Sequence, residues 1–245
     1  MERSEFEKLY DMEDAHWWFV GKRRIARRLL RNVLPLGDTD RSLDVGCGTG
    51  GTLHFLAEGG LTVGADISPV ALSFCQHRGK PAIVQASAMA LPFADQTFSL
   101  VTAFDLLYHR QVGDDGAALR EFSRVCRRSG SLLVTEPAFE WLRSDHDEVY
   151  HGRRRYTVTE LVDRVTDAGF QVEKASYANA LLFPLILAVR AKHKVLPPRQ
   201  PESDLKPLPP FLNRLFVAIV SLEAALLAHV SFPAGSSVIC QALKR

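Results

Sequence analysis

The chain has 245 residues, 47% of them hydrophobic, which is enough for one large α/β domain with a proper core. Its 30 basic and 28 acidic residues leave a formal net charge of +2, and this balance excludes the strong positive field that draws many proteins onto nucleic acid. We therefore expect no nucleic-acid partner. The four cysteines include no CxxC pair, so the sequence indicates neither a zinc site nor a disulfide framework.

The start of the chain is polar and acidic, whereas a secretory signal needs a basic and then an apolar run. We therefore expect a cytoplasmic protein. Two apolar segments lie later in the chain, at 180–189 and 215–228, and both are shorter than the roughly 20 residues that a membrane-spanning helix needs. We interpret them as buried or interfacial helices.

The predicted elements begin with a basic amphipathic helix at 17–34, which Pro35 and Gly37 end. From Ser42 onwards short apolar runs alternate with helical segments, a pattern typical of successive βα units in a parallel sheet. We predict strands at 42–45, 61–66, 81–85, 98–104, 131–136, 170–177 and 237–243, and helices at 50–58, 69–78, 114–127 and 157–168.

The segment between the last two predicted strands, 178–236, is far longer than an ordinary connection and must have structure of its own. It contains both apolar segments. Between them stand six of the chain's 13 prolines, which exclude a regular helix there. We predict a helical insertion with a Pro-rich linker.

A glycine-rich turn, LDVGCGTG at 43–50, follows the first predicted strand. Such a strand, turn and helix together form a nest of backbone N–H groups, and glycine lets a ligand approach the main chain closely. Gly46, Gly48 and Gly51 also satisfy GxGxxG, so by spacing alone the turn would suit NAD and an oxidoreductase. Asp44 favours another cofactor, because a carboxylate there repels a pyrophosphate and attracts the cationic amino-acid end of a sulfonium nucleoside.

A second acidic residue, Asp66, stands at the end of the next apolar run, 20 positions after Gly46. A carboxylate at this place accepts both hydrogen bonds of a ribose diol, which either cofactor would offer. The alternative role for Asp66 is a helix cap ahead of Pro69.

The runs LDVGCGTG, then ADIS, then AMALPFADQTFSLV at 88–101 resemble, in this order, the motifs of class I methyltransferases dependent on S-adenosyl-L-methionine (SAM), especially their UbiE-like branch. The resemblance spans roughly 40–175. It implies SAM as the cofactor and a Rossmann-like α/β fold with a mostly parallel seven-stranded sheet and helices on both faces. We therefore expect a single domain over 1–245, made of an N-terminal helical cap (1–37), a SAM-binding core (38–177), the helical insertion (178–236) and a last strand (237–245).

The resemblance also implies roles for single residues. The glycines would contact the methionine part of SAM, Asp66 the ribose, Ile67 one adenine face, and 87–89 the adenine edge. Ser87 departs from the family pattern, because relatives usually have an acidic residue there. The expected cofactor-binding residues are Asp44, Gly46, Gly48, Gly50, Asp66, Ile67, Ser87, Ala88, Met89 and Phe104.

A second resemblance lies outside this core. HWWF at 16–19, Arg23-Arg24, His146-Asp147 and RYT at 155–157 are similar to segments of certain bacterial methyltransferases whose N-terminal helix lies over the donor site. Trp18 and Arg23 would then wall the pocket. The alternative is a core aromatic and a solvated charge.

Methyl transfer from a sulfonium requires alignment rather than a covalent nucleophile, but a base helps when the acceptor is a hydroxyl or an acidic carbon. Residues that follow the fourth and fifth strands lie on the ligand side of such a sheet. The catalytic candidates are His109, His146, His151 and Tyr156. Arg154 and Arg155 would bind a carboxylate or phosphate of the acceptor, with Trp18 beside it. The alternative for His109 is a histidine that holds its loop, that for the segment from His146 to His151 is a metal site, and that for the arginines is a solvated loop.

We therefore predict a SAM-dependent methyltransferase that acts on an oxygen or carbon atom of a small or lipid-like acceptor, with no metal. An NAD-dependent oxidoreductase and a non-catalytic nucleotide-binding module are the alternatives. The insertion and the basic first helix would form a lid or a surface that touches anionic lipid. A covered sheet edge or a dimer interface is the alternative for that surface.

Overall fold

The computed structural model describes residues 2–58, 60–79, 82–195, 203 and 205–245. The strands are β1 (Arg41–Val45), β2 (Leu61–Asp66), β3 (Ala82–Gln85), β4 (Phe98–Phe104), β5 (Cys126–Pro137), β6 (Phe170–Ala178) and β7 (Ser237–Lys244). The helices are α1 (Arg3–Met12), α2 (Trp17–Leu29), α3 (Leu53–Leu56), α4 (Pro69–His77), α5 (Asp115–Val125), α6 (Asp145–Val149), α7 (Val158–Asp167), α8 (Phe183–Val195) and α9 (Pro210–Leu227).

The strands form one seven-stranded sheet in the order β3-β2-β1-β4-β5-β7-β6. The first five strands run parallel, and β7 enters antiparallel between β5 and β6. The chain order reverses between β1 and β4, and the crevice at the carboxyl ends of two such strands is where open α/β sheets bind ligands. This sheet confirms the predicted Rossmann-like class I methyltransferase fold.

Both faces of the sheet are buried, as the continuous apolar runs of its strands require. Val101 and Leu132 pack on one face with Phe122 of α5 and Leu161 of α7. On the other face, Leu100, Leu133 and Ile239 pack with α2 and α9, through Ile25, Ala26, Leu29, Ala224 and Leu227. The insertion therefore supplies a core helix of the domain.

The N-terminal cap and the insertion form one layer, because α9 packs along α2. A Cβ atom at Gly21 would lie only 2.8 Å from Cγ2 of Val220, so glycine permits this close approach. Asn213 accepts a hydrogen bond from Trp17 N at 2.8 Å, and the buried Glu223 accepts one from Leu181 N at 2.9 Å. The contacts of Gly21 and Trp17 join α2 to α9, and the bond of Glu223 ties α9 to the chain just before α8.

Several predicted boundaries were wrong. The helix expected at 50–58 is only the single turn of α3, because Gly50 has a φ of +88° and the glycine turn extends further than its motif. The helix expected at 17–34 ends at Leu29 and continues as a 3-10 turn at Leu30–Asn32, and β5 begins at Cys126 rather than at 131. The helices α1 and α6 were not predicted. Part of the expected Pro-rich linker, 196–202, and position 81 of the third expected strand lie outside the described residues.

The contact between Gly21 and Val220 gives a test of the layer formed by α2 and α9. We expect Gly21→Val to lower the free energy of unfolding by about 1–3 kcal/mol, because the added methyl groups overpack the contact. Urea unfolding followed by circular dichroism measures this. Adding Val220→Ala should recover part of the loss, and a Gly21→Val protein as stable as the wild type would contradict the observed packing.

Candidate functional site

A cavity of about 740 Å³ lies at the carboxyl ends of β1, β2 and β4. Its floor includes the glycine turn and the loop after β4. Its walls come from α1, α2, α6 and α8 and from residues 205–208, so that the N-terminal cap and the insertion both cover it.

The glycine turn has the backbone that the sequence predicted, but its N–H groups are already used. Gly46, Gly48 and Gly50 have φ values of +75°, +55° and +88°, which L side chains adopt only with strain. The N–H groups of Gly46 and Cys47 donate to Ala65 O, and Gly48 N donates to Asp66 Oδ2 at 2.9 Å. A Cβ atom at Gly48 would meet no atom within 4 Å, so the turn leaves open space above its main chain. The turn therefore fits a ligand through close approach rather than through a nest of free N–H groups.

Asp44 is almost fully buried beneath this turn and lines the cavity. It accepts hydrogen bonds from the hydroxyl groups of Thr52 and Thr102, the latter at 2.7 Å. Burial raises the pKa of Asp44 to about 6, and the charges of Glu13 and Asp66 act in the same direction. The carboxylate is therefore largely ionised at neutral pH, held by neutral donors, and placed to attract a cation from the cavity.

Asp66 faces the cavity from the end of β2. Its carboxylate accepts hydrogen bonds from Gly48 N at 2.9 Å and Ser68 N at 2.8 Å, and burial raises its pKa. Because an ionised carboxylate has about four acceptor positions, these two bonds leave room for a diol. Ile67, next to it, is 40% exposed and offers an apolar surface to a flat ring.

The structure brings most of the expected cofactor-binding residues together. Those that line the cavity are Asp44, Gly46, Gly48, Asp66, Ile67, Ser87, Ala88 and Phe104. Gly50 and Met89 do not line it. Gly50 shapes the turn, and Met89 N donates to Ser87 Oγ at 3.2 Å.

Sequence reasoning missed Glu13, which follows α1 and lines the cavity. Its carboxylate accepts hydrogen bonds from the Thr49 hydroxyl and from Gly51 N, so that it ties the N-terminal cap to the glycine turn, and burial raises its pKa. Arg23 does not line the cavity. It donates to the backbone oxygens of Glu13 and Asp14 at 2.7 and 3.1 Å, and so holds the end of α1. Trp18 lines the cavity, as expected.

Sequence reasoning also missed Glu136, a fully buried residue near the end of β5. It accepts hydrogen bonds from the N–H groups of Leu106, Leu107 and Tyr108, which fixes the loop after β4. Burial holds the pKa of Glu136 well above its usual value. Asp105 in the same loop pairs with Lys22, so α2 is joined to this edge of the cavity.

The four catalytic candidates separate into two pairs. His109 and His146 line the cavity, whereas His151 and Tyr156 do not. His151 stacks on His109, with ring centroids 5.9 Å apart. Tyr156 is fully buried, and its hydroxyl donates to Asp115 Oδ2 at 2.7 Å. The hydroxyl of Tyr156 is therefore hydrogen-bonded within the core and does not face the cavity.

His109 is poorly suited to act as a base. Its Nδ1 accepts a hydrogen bond from Gln111 N at 3.2 Å, so its neutral ring carries the proton on Nε2. Burial lowers the pKa of His109 to about 4. The residue is therefore neutral at pH 7, with a donor rather than an acceptor at Nε2.

The arginines expected to bind the acceptor instead bind the protein. Arg155 borders the cavity, but its buried guanidinium donates to both oxygens of Asp147, at 2.8 and 2.9 Å, and to Ala138 O. Arg154 lies outside the cavity, 3.4 Å from Asp115 Oδ2 and over the ring of Tyr156. Both guanidinium groups hold the wall formed by the chain after β5.

The far end of the cavity is mainly apolar, and Arg190 and Lys206 are charged residues that also line the cavity. Trp17 and Trp18 meet edge to face, and Trp17 meets Phe216 of α9 at a centroid distance of 5.5 Å. Leu185, Ile186 and Val189 of α8 complete this end. One continuous cavity thus joins a carboxylate-lined end to an aromatic and aliphatic end. Within the described part of the chain, no group of three or more His, Cys, Asp or Glu side chains is placed to hold a metal ion.

Residues 43–134 match the family model of the methyltransferase domain. Demethylmenaquinone methyltransferase of Mycobacterium marinum is 40% identical over 119 residues, which are 48% of this chain and 50% of that protein. The chain thus spans about half the length of the curated relatives that it matches.

Solved structures share the fold at low sequence identity. Geranyl diphosphate methyltransferase in complex with SAM is 16% identical, with a TM-score of 0.60 over 90% of this chain and 85% of that chain. The [4+2]-cyclase SpnF is 21% identical, with a TM-score of 0.57 over 90% of this chain and 81% of that chain. At such identities the likeness establishes the architecture alone. Residues 43–134 are therefore similar in sequence to a methyltransferase domain, and the chain shares its architecture with solved SAM-dependent methyltransferases.

Proposed function

We propose that this chain transfers the methyl group of SAM to an oxygen or carbon atom of a small, lipid-like acceptor. The observation that carries the proposal is the single cavity with two unlike ends. Its polar end suits a cationic nucleoside, and its apolar end suits a hydrocarbon.

The residues present fit SAM at the polar end. When bound, SAM supplies a methyl group attached to a sulfonium centre, and the rest of SAM leaves as a neutral thioether. Asp44 would hold the cationic amino-acid end, Asp66 the ribose diol, and Ile67 one face of the adenine ring. Gly48 lets the ligand approach the main chain, because no Cβ atom occupies the space above it.

The apolar end supports a lipid-like acceptor. Trp17, Phe216 and the aliphatic residues of α8 supply a large apolar surface, and Arg190 and Lys206 are cations that line the same cavity. The curated relatives are named for an activity on demethylmenaquinone, and one structural neighbour for an activity on geranyl diphosphate. The cover formed by α1, α2 and α8 would exclude water and align the acceptor, which is the main requirement of a methyl displacement.

His146 is the residue that we propose for accepting the acceptor's proton. It lines the cavity from α6, and its ring packs on Tyr150 at a centroid distance of 4.5 Å. Because His109 is neutral and carries its proton on Nε2, His109 would instead donate a hydrogen bond to the acceptor.

The two alternatives lose support on different grounds. An NAD-dependent oxidoreductase would have to place a pyrophosphate above the glycine turn, beside the buried carboxylate of Asp44 and the half-buried carboxylate of Asp66. A non-catalytic nucleotide-binding module would not need the large apolar end. Location in the cytoplasm stays a prediction.

Cofactor choice can be measured by isothermal titration calorimetry. We expect the wild type to bind SAM and not NADH. Asp66→Ala should weaken SAM binding about tenfold or more, because hydrogen bonds to a charged group contribute roughly 1.5–3 kcal/mol. The matched control is Asp38→Ala, because Asp38 is exposed, and this variant should leave the affinity for SAM unchanged. Binding of NADH without SAM would overturn the proposal.

The pKa of Asp44 leads to a pH dependence of SAM binding. A bound cation favours the ionised carboxylate, so below a pH of about 6 binding must first remove a proton from Asp44. We expect the dissociation constant to rise by up to about tenfold for each pH unit below that value, and to stay constant above it. Calorimetry across this range measures the effect.

The same titration with Asp44→Asn separates Asp44 from its acidic neighbours. The variant should bind SAM weakly at every pH and lose the step near pH 6. If the step persists, Glu13 or Asp66 is the titrating group and our assignment of the cation site is wrong.

Methyl transfer itself can be tested with isotopically labelled SAM and a bacterial lipid extract. We expect the label in an organic-soluble product heavier than its precursor by one methylene, detected by mass spectrometry. His146→Gln should lower the transfer rate by about 10²-fold or more without changing SAM affinity, as the loss of a general base does. If the wild type binds SAM but labels no product, the non-catalytic alternative is favoured.

A further inference from the structure

Exposed apolar side chains are concentrated in the insertion. Eleven large hydrophobic residues of the described chain are exposed, and eight of them lie between 181 and 230. They are Leu181, Leu185, Val189, Phe211, Leu215, Leu222, Leu226 and Val230. A concentration of this kind marks an interaction surface, whereas scattered single residues do not.

The exposed residues of α9 lie on one stripe. Apart from Pro210 at its start, they recur three or four positions apart with two adjacent pairs, the spacing of one helix face, and they are Phe211, Arg214, Leu215, Ala218, Leu222, Ala225 and Leu226. Phe211 is 73% exposed, although it is the largest apolar side chain of the stripe. The opposite face carries Val220, Ala224 and Leu227 and is buried against α2 and the sheet.

A second stripe runs along α8 and borders the cavity. Leu185 and Val189 are 46% and 43% exposed and also line the apolar end of the cavity. Leu185 and Val189 therefore connect the exposed apolar surface of α8 with the apolar end of the cavity.

The exposed charged residues of α8 and α9 that the structure describes have one sign. Lys192 on α8 and Arg214 on α9 are exposed, whereas Glu223, the only acidic residue in the two helices, is buried. Arg24 of α2 lies beside α9, with its guanidinium on the Ser221 hydroxyl. The apolar face is therefore bordered by cations, as are protein surfaces that bind anionic lipid.

We propose that the exposed face of α8 and α9 docks on an anionic lipid bilayer, with both helices lying in the plane of the membrane surface. An acceptor lipid would then enter the cavity past Leu185 and Val189. The docking rests on the exposed face alone, while this route for the acceptor rests on the proposed function.

Two other roles for this exposed face, as a membrane-spanning helix and as a dimer interface, fit the observations less well. Pro210–Leu227 is long and apolar enough to cross a membrane by length and composition. Spanning would nevertheless pull Val220, Ala224 and Leu227 out of the core. In a symmetric dimer the same patch faces itself, so a second copy would bring the cations of both patches together without an exposed carboxylate on either helix.

Vesicle sedimentation tests the proposal on the full chain. We expect the wild type to bind equimolar phosphatidylglycerol and phosphatidylcholine vesicles more tightly than pure phosphatidylcholine vesicles, and to bind less as salt is added. Leu215→Glu should lower the partition coefficient about tenfold, because a leucine leaves the apolar layer. The matched control is Leu61→Glu, since Leu61 and Leu215 are both 52% exposed and only Leu215 lies on the face.

Two further measurements keep the outcomes distinct. Arg214→Glu should weaken binding to the anionic vesicles much more than binding to the neutral ones, which tests the charged border by a separate variant. SAM affinity should be unchanged in all three variants, so failure of docking and failure of the proposed function are seen separately. Three results would overturn the proposal: no vesicle binding by the wild type, an equal loss in Leu61→Glu, or a dimer in light scattering that Leu215→Glu converts to a monomer.

Discussion

Burial of carboxylates at the carboxyl edge of the sheet is the constraint on which the site depends. Asp44, Asp66, Glu136 and Glu13 all lie in this region, and burial raises the pKa of each. A buried charge is costly unless hydrogen bonds compensate it. For Asp44 and Asp66 the donors are backbone N–H and threonine hydroxyl groups, which fix the loops without neutralising the charge, whereas Glu13 also lies 3.4 Å from Arg78 Nη2. The polar end of the cleft therefore carries the carboxylates of Asp44 and Asp66, which favour a cationic ligand.

The cover of the cavity depends on contacts between distant parts of the chain. The helix α2 pairs with the edge of the sheet through Lys22 and with α9 through the contact of Gly21 with Val220. The helix α1 is held on the glycine turn by Glu13. Since α2 borders both ends of the cavity, its position is set jointly by the polar edge of the sheet and by the apolar insertion.

The fold and the cofactor end could be predicted because their signals are local. The glycine turn and the acidic residues at fixed distances after it lie within short stretches, and the sheet follows from alternating apolar runs. Glu136 gave no such signal, because it binds the backbone of residues about 30 positions earlier in the chain. The predicted bounds of the helix at 50–58 were wrong for a related reason, since the φ of Gly50 depends on the packing of the turn.

The acceptor end shows the limit of reasoning from neighbouring residues. Position along the chain placed His146, His151, Arg154 and Arg155 on the ligand side, but it did not tell in which direction each side chain points. Asp147 takes the guanidinium of Arg155 eight residues later, and the next residue, Tyr156, is buried in the core. A basic run beside a ligand cavity is therefore no sign of substrate binding until the acidic partners inside the protein are counted. In this chain Asp115 and Asp147 between them take Arg154 and Arg155, whereas Lys192 and Arg214 of the insertion are exposed on helices whose one acidic residue, Glu223, is buried.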